Sequence, residues 1–141
     1  MVVTHWLEGR NPDHRVAAQR VYDAAFLAGL KNYPASGLAH RPGKVVRSVM
    51  FREDVPSRSL VVDISDHIDT KLAALACFES QFEGKVTAGE TFGGGDRPLL
   101  EQVRLQCAHH GSRIRCAYSE PFWTRETVAL ESLGSDGVST F

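Results

Sequence analysis

Apolar residues in this chain follow two rhythms, and the switches between them lay out alternating strands and helices. Val2-Val3-Thr4 looks like the stub of a buried strand. From residue 13 the apolar positions recur every three and four residues through Ala17, Ala18, Val21, Tyr22 and Ala25, which predicts a helix over 13–27 with Gly29 as its stop. Residues 45–51 and 59–64 are rich in β-branched and apolar side chains and predict two strands. Ser65 or Asp66 is placed to cap a second helix, reaching about residue 82, with Ile68, Leu72, Leu75 and Phe82 on one stripe. Asp96 is placed to cap a third, with Pro98 in its first turn and Leu100, Val103, Cys107 and Ile114 as its buried face. Residues 115–124 predict a last strand holding Tyr118, Phe122 and Trp123. Strands separated by helices mean an α/β layered fold of about three helices and three to four strands.

The connecting stretches add little chemistry of their own. Residues 31–43 carry Pro34, Pro42, Gly37 and Gly43, a long loop that reads either as the border of a binding site or as a surface excursion. Arg52-Glu53, at the end of the second strand, is either a solvated charge pair or a substrate contact. Residues 84–95 are rich in Gly and Thr. Gly93-Gly94-Gly95 lacks the Lys-Ser/Thr that completes a phosphate-binding loop, so it reads as a connector. His67 falls off the stripe of its helix and is assigned to the surface. The domain is expected over 1–125, with 126–141 a frayed tail without periodicity.

Length and composition exclude several classes. At 141 residues the chain is one domain by size, and 43% hydrophobic with 23% charged residues is ordinary for a globular protein. A net charge of −1 with scattered Lys and Arg argues against a nucleic-acid partner and against a membrane surface. Cys77, Cys107 and Cys116 are too far apart for a Cys-x-x-Cys motif. An odd count without a signal peptide predicts free thiols in the cytoplasm, and Cys77 and Cys107 read as small buried side chains.

The stretch with candidate chemistry is Glu8-Gly9-Arg10-Asn11-Pro12-Asp13-His14, a polar loop between a strand end and a helix start, where α/β proteins place ligands. Asp13 is placed to cap the free N–H groups of the first turn, and His14 falls on the apolar stripe, pointing inward. A histidine at a helix N-terminus tends toward the neutral, metal-binding form. A lone His there is more often a partly buried structural residue than a ligand, because a zinc site needs three or four ligands. His109 and His110 are neighbours on a helix, about 100° apart, and cannot share one metal unaided.

Arg10-Asn11-Pro12-Asp13-His14 resembles the Arg-His-Pro-Asp-His loop of the LmbE/PIG-L family of zinc-dependent N-deacetylases, nearest to its bacillithiol-biosynthesis branch. Asp23-Ala24-Ala25-Phe26-Leu27-Ala28-Gly29-Leu30, His40-Arg41-Pro42, Val62-Asp63-Ile64-Ser65-Asp66, Lys71-Leu72-Ala73-Ala74-Leu75, Glu79-Ser80-Gln81-Phe82 and Tyr118-Ser119-Glu120-Pro121-Phe122 follow in that family's order and spacing, so the resemblance spans residues 2–125. It implies the C-terminal portion of a Rossmann-like fold and a reaction in which zinc activates water to hydrolyse the acetamide of an amino-sugar conjugate. By motif position His14 would be a zinc ligand and Asp13 its orienting neighbour. Arg10 would face the substrate or the developing oxyanion, and Tyr118 would be a hydroxyl donor.

Two departures stand out. The family's N-terminal Ala-His-Pro-Asp-Asp loop supplies the other zinc ligands and the general base, and His-Pro-Asp-Asp occurs nowhere in this sequence. The other loop histidine of the family is Asn11 here, and an amide cannot take up a proton at neutral pH. One family ligand of three is therefore present, which implies a homo-oligomer or a separate N-terminal half as partner. The alternatives are a non-catalytic homologue serving as a binding or assembly module, and a truncated product without a stable fold.

Overall fold

In the computed structural model, residues 1–50, 60–78, 98–127 and 129 are described. β1 (Val2–Thr4) and β2 (Val45–Ser48) run parallel, with Val2 opposite Val45, Val3 opposite Val46 and Thr4 opposite Arg47. Parallel neighbours need a long crossover. Helix α1 (Pro12–Leu27) and the exposed loop after it supply that crossover. β4 (Ser119–Trp123) pairs antiparallel with β2, Arg47 facing Trp123 and Ser48 facing Phe122. With β3 (Leu60–Asp63) the order is β1-β2-β4-β3, a mixed open sheet with β1 at one edge. Helices α2 (Ile68–Ala76) and α3 (Leu99–Ser112) bring the described helices to three, so the expected α/β fold of three helices and up to four strands is found. No described helix is long and apolar enough to cross a membrane.

The chain forms two units. The first holds β1, α1, β2 and the last three residues of β4; its buried apolar residues are Trp6, Ala18, Val45, Val46 and Val49. Trp6 meets Trp123 edge to face, with ring centres 5.3 Å apart. The second holds most of β3, α2, α3 and the start of β4, packed around Ile64, Ile68, Val103 and Cys107. There the chain doubles back beside the end of α3: Ile114 and Cys116 both donate to the Gly111 carbonyl, at 3.0 and 3.1 Å, and Arg115 takes a left-handed φ of 61°. Only glycine fits at 111, because a Cβ would lie 2.7 Å from the Cys116 carbonyl oxygen.

Several boundaries differ from the expectation. Asn11, not Asp13, caps α1: its Oδ1 accepts the Asp13 N–H at 2.9 Å, and Pro12 starts the helix. Ser65 and Asp66 lie inside a 3-10 turn (Ser65–His67) ahead of α2, and Asp63 accepts the Ser65 N–H. Helix α2 stops at Ala76, with Cys77 exposed at its C-cap. Pro98 is the N-cap of α3, outside its first turn, and Ile114 lies past its end. The left-handed turn at Arg115 delays the last strand to Ser119. His67 is exposed, as expected. Phe51, Arg52-Glu53, Phe82, Gly93-Gly94-Gly95, Asp96 and nearly all of the tail lie outside the described residues.

Candidate functional site

The polar loop follows directly from the end of β1. Trp6 is buried and anchors the chain as it leaves the strand, and the N–H of Gly9, itself buried, reaches back to the Trp6 carbonyl at 3.4 Å. From the other side, the Arg15 guanidinium donates through Nη1 to the Gly9 carbonyl at 3.1 Å, and the Arg15 N–H closes on the Asn11 carbonyl at 3.2 Å. The loop is thus pinned to the strand before it and the helix after it. Arg10, Asn11, Asp13 and His14 are held together around the first turn, all exposed, at the carboxyl end of a strand in a parallel pair.

His14 does not point inward. The buried side of α1 begins at Ala17 and Ala18, and the His14 ring instead stacks on His5, centres 4.0 Å apart and planes within 10°. The ring it meets is another imidazole, and both residues are exposed. Burial lowers the pKa of His5 from its ordinary value, and the neighbouring His14 charge pushes the same way.

The pair is a poor start for a metal site. An imidazole nitrogen donates its lone pair in the ring plane, and two nearly parallel stacked planes do not converge on one ion. Among the described residues, no group of three His, Cys, Asp or Glu side chains could hold a metal. Zinc does not fit the residues this structure describes, and His109 and His110, ring centres 5.2 Å apart in an edge-to-face pair, do not change that.

Tyr118 belongs to the second unit and to a different constellation. Its N–H donates to Ser65 Oγ at 3.2 Å and its carbonyl accepts the Ile64 N–H at 2.9 Å. Arg104 lies over its ring at 5.7 Å, with Nη1 at 3.5 Å from the phenol oxygen, and Arg104 also donates to Asp69 at 2.8 Å. The hydrogen bond to Tyr118, then the one to Asp69, raises the guanidinium pKa further. Lys71 and Glu120 form an ion pair in the same unit.

Hydrophobic pattern alone does not assign a role to two residues of interest. His5 follows the first strand directly, and its pairing with His14 depends on tertiary geometry. Arg47 is a charged residue inside the apolar run Val45-Val46-Arg47-Ser48-Val49, and that interruption was its signal.

The first unit is therefore a β-α-β unit of an α/β protein, with a polar loop at a strand's carboxyl end. No family model matches the chain. The crystal structure of the conserved protein TT1542 from Thermus thermophilus superposes with a TM-score of 0.74 at 26% identity, covering 92% of this chain and 52% of that one. GalB, the 4-carboxy-2-hydroxymuconate hydratase from Pseudomonas putida KT2440, shares the fold with a TM-score of 0.65 at 21% identity, over 94% of this chain and 55% of that one. The chain spans about half the length of these solved structures.

Proposed function

We propose that this chain is the C-terminal part of an LmbE/PIG-L-type N-deacetylase that releases acetate from an N-acetylglucosaminyl conjugate in the cytoplasm. The observation that carries this reading is the position of Arg10-Asn11-Pro12-Asp13-His14, exposed where β1 hands over to α1. The other motifs run in the same order as in that family, and the fold likeness to TT1542 covers nearly the whole chain.

The reaction adds water across an acetamide carbonyl and breaks its C–N bond, giving acetate and a free amine. Arg10 offers a permanently charged planar donor for the oxygen that becomes negative as water adds. Asn11 does not move a proton, and its amide oxygen already accepts the Asp13 N–H. Asn11 holds the loop's geometry, and Asp13, next to His14 in sequence, would supply its orienting carboxylate. The ligands and base that the reaction also needs would come from a segment carrying His-Pro-Asp-Asp, as an N-terminal half or through self-association at the β1 edge.

A second reading, a non-catalytic binding or assembly module, is favoured by the lack of a three-donor group among the described residues. The coding DNA upstream of Met1 and an acetate-release assay separate the two. An in-frame Ala-His-Pro-Asp-Asp segment, with acetate release by the longer product that is lost on His14→Ala, is the expected result. If the longer product, or the chain itself where a stop codon precedes Met1, keeps no zinc after desalting and releases no acetate, the deacetylase reading is wrong.

A further inference from the structure

We propose that Arg47 and Arg125 form a binding site for a small oxyanion, a carboxylate or a phosphate, walled by Tyr22 and Trp123. Arg47 sits in the middle of β2, between Thr4 on one neighbouring strand and Trp123 on the other, and is 1% exposed. Its Nη1 is fully buried and has no hydrogen-bond partner among the described residues. A buried charge without a hydrogen-bonded counter-ion is among the costliest arrangements in a fold. A guanidinium cannot escape that cost by losing its proton.

The surroundings define what is missing. The Arg47 guanidinium carbon lies 5.2 Å from the Tyr22 ring centre and 6.0 Å from that of Trp123. Aromatic faces attract a cation but accept no N–H in its plane. A second buried donor, Trp6 Nε1, also lacks an acceptor among the described residues, and its ring packs against the same Trp123. A second guanidinium, Arg125, lies 5.8 Å from the Tyr22 ring. The carboxylate that favours the Arg47 charge belongs to Glu126, whose Oε2 already accepts the Thr124 hydroxyl at 2.8 Å. Among the described residues, two cations face one carboxylate, beside two orphan donors. The complementary ligand carries negative charge and several acceptor oxygens, as carboxylates and phosphates do. Neutral hydroxyls would leave the charge unbalanced, and a metal cation would be repelled. Arg125 is exposed and meets the anion first, while Arg47 holds it away from water. This site uses none of the groups assigned to deacetylation and stands whether or not that reading holds.

The chain carries its own reporter, because its two tryptophans, Trp6 and Trp123, both border the site. Intrinsic fluorescence of the full chain would be titrated with inorganic phosphate and, separately, with succinate, against sodium chloride at matched ionic strength. The expected result is a saturable change with half-saturation at about millimolar concentration, about tenfold weaker in Arg125→Ala and absent in Arg47→Met. Saturation by phosphate alone or by succinate alone assigns the ligand class. No saturable change beyond chloride with either anion, or an unchanged half-saturation in Arg125→Ala, overturns the proposal. Arg125 is exposed, so that variant decides the matter even if Arg47→Met fails to fold.

Discussion

The carboxylate of Asp63 takes both hydrogen bonds that Ser65 can give it, the N–H at 2.8 Å and the hydroxyl at 2.6 Å. Ser65 Oγ in turn accepts the Tyr118 N–H at 3.2 Å, so one side chain ties the end of β3 to the start of β4. Val62-Asp63-Ile64-Ser65-Asp66 is one of the motifs by which the chain resembles deacetylases, and its work here is to shape a turn.

A pH prediction follows. The hydrogen bonds from Ser65, hydroxyl first, hold the Asp63 carboxyl below its ordinary range. A lowered carboxylate pKa stabilises the fold above the unfolded-state value and loses that contribution as pH falls through the folded value. Thermal melts should therefore show a decline on acidification through and below about pH 4 that is reduced in Asp63→Asn. An identical acid limb in both proteins would mean that Asp63 contributes nothing.

The Asn11 cap makes a prediction that separates structure from chemistry. Asn11→Ala leaves the first-turn N–H groups of α1 without their acceptor and should cost about 1 kcal/mol, while Asn11→Asp should be close to neutral. Denaturant unfolding measures both. Asn11→His is the informative third variant. If a histidine at 11 lowers stability and raises no acetate release in a zinc-competent longer protein, position 11 serves as a cap.

At Gly111 two effects oppose each other. Alanine in a helix is favoured over glycine by about 1 kcal/mol. Here the added Cβ would meet two backbone carbonyl oxygens at 2.7 and 2.8 Å, and backbone cannot swing aside as a side chain can. Overpacking of this kind costs about 1 to 3 kcal/mol. Gly111→Ala should therefore lower the melting temperature, and a more stable variant would show that the return toward β4 is looser than the structure has it.

What was legible in the sequence, and what was not, divides along physical lines. The strand at Val2, the helix over Ala17 to Leu27 and the polar loop between them were readable because burial periodicity is a local property of the chain. Asn11 and Asp13, two residues apart, can both serve as the cap by side-chain chemistry, and the structure uses Asn11. Extending the stripe one turn further predicts an inward His14, whereas its ring is exposed and stacks on His5. Pattern is silent on Arg47, because β-periodicity marks where a side chain sits and says nothing of its counter-ion. Among the described residues the candidate loop was found whole, whereas Tyr118, named with it, belongs to the second unit.

The thiols give the last prediction, because here the expectation from pattern and the structure disagree at one residue. Cys77 and Cys107 both lie among apolar neighbours in sequence, yet Cys77 is exposed at the end of α2 while Cys107 is fully buried in α3. Burial raises the pKa of the Cys107 thiol, which lowers its thiolate fraction as well as its access. Cys116 is part-buried, and desolvation foremost raises its thiol pKa as well. Brief alkylation of the native chain with iodoacetamide, followed by peptide mass spectrometry, should label Cys77 first and Cys116 more slowly. Cys107 should react only through opening of the second unit, so its labelling should accelerate in denaturant while that of Cys77 barely changes. Equal native rates for Cys77 and Cys107 would mean that α3 does not pack its Cys107 face as described.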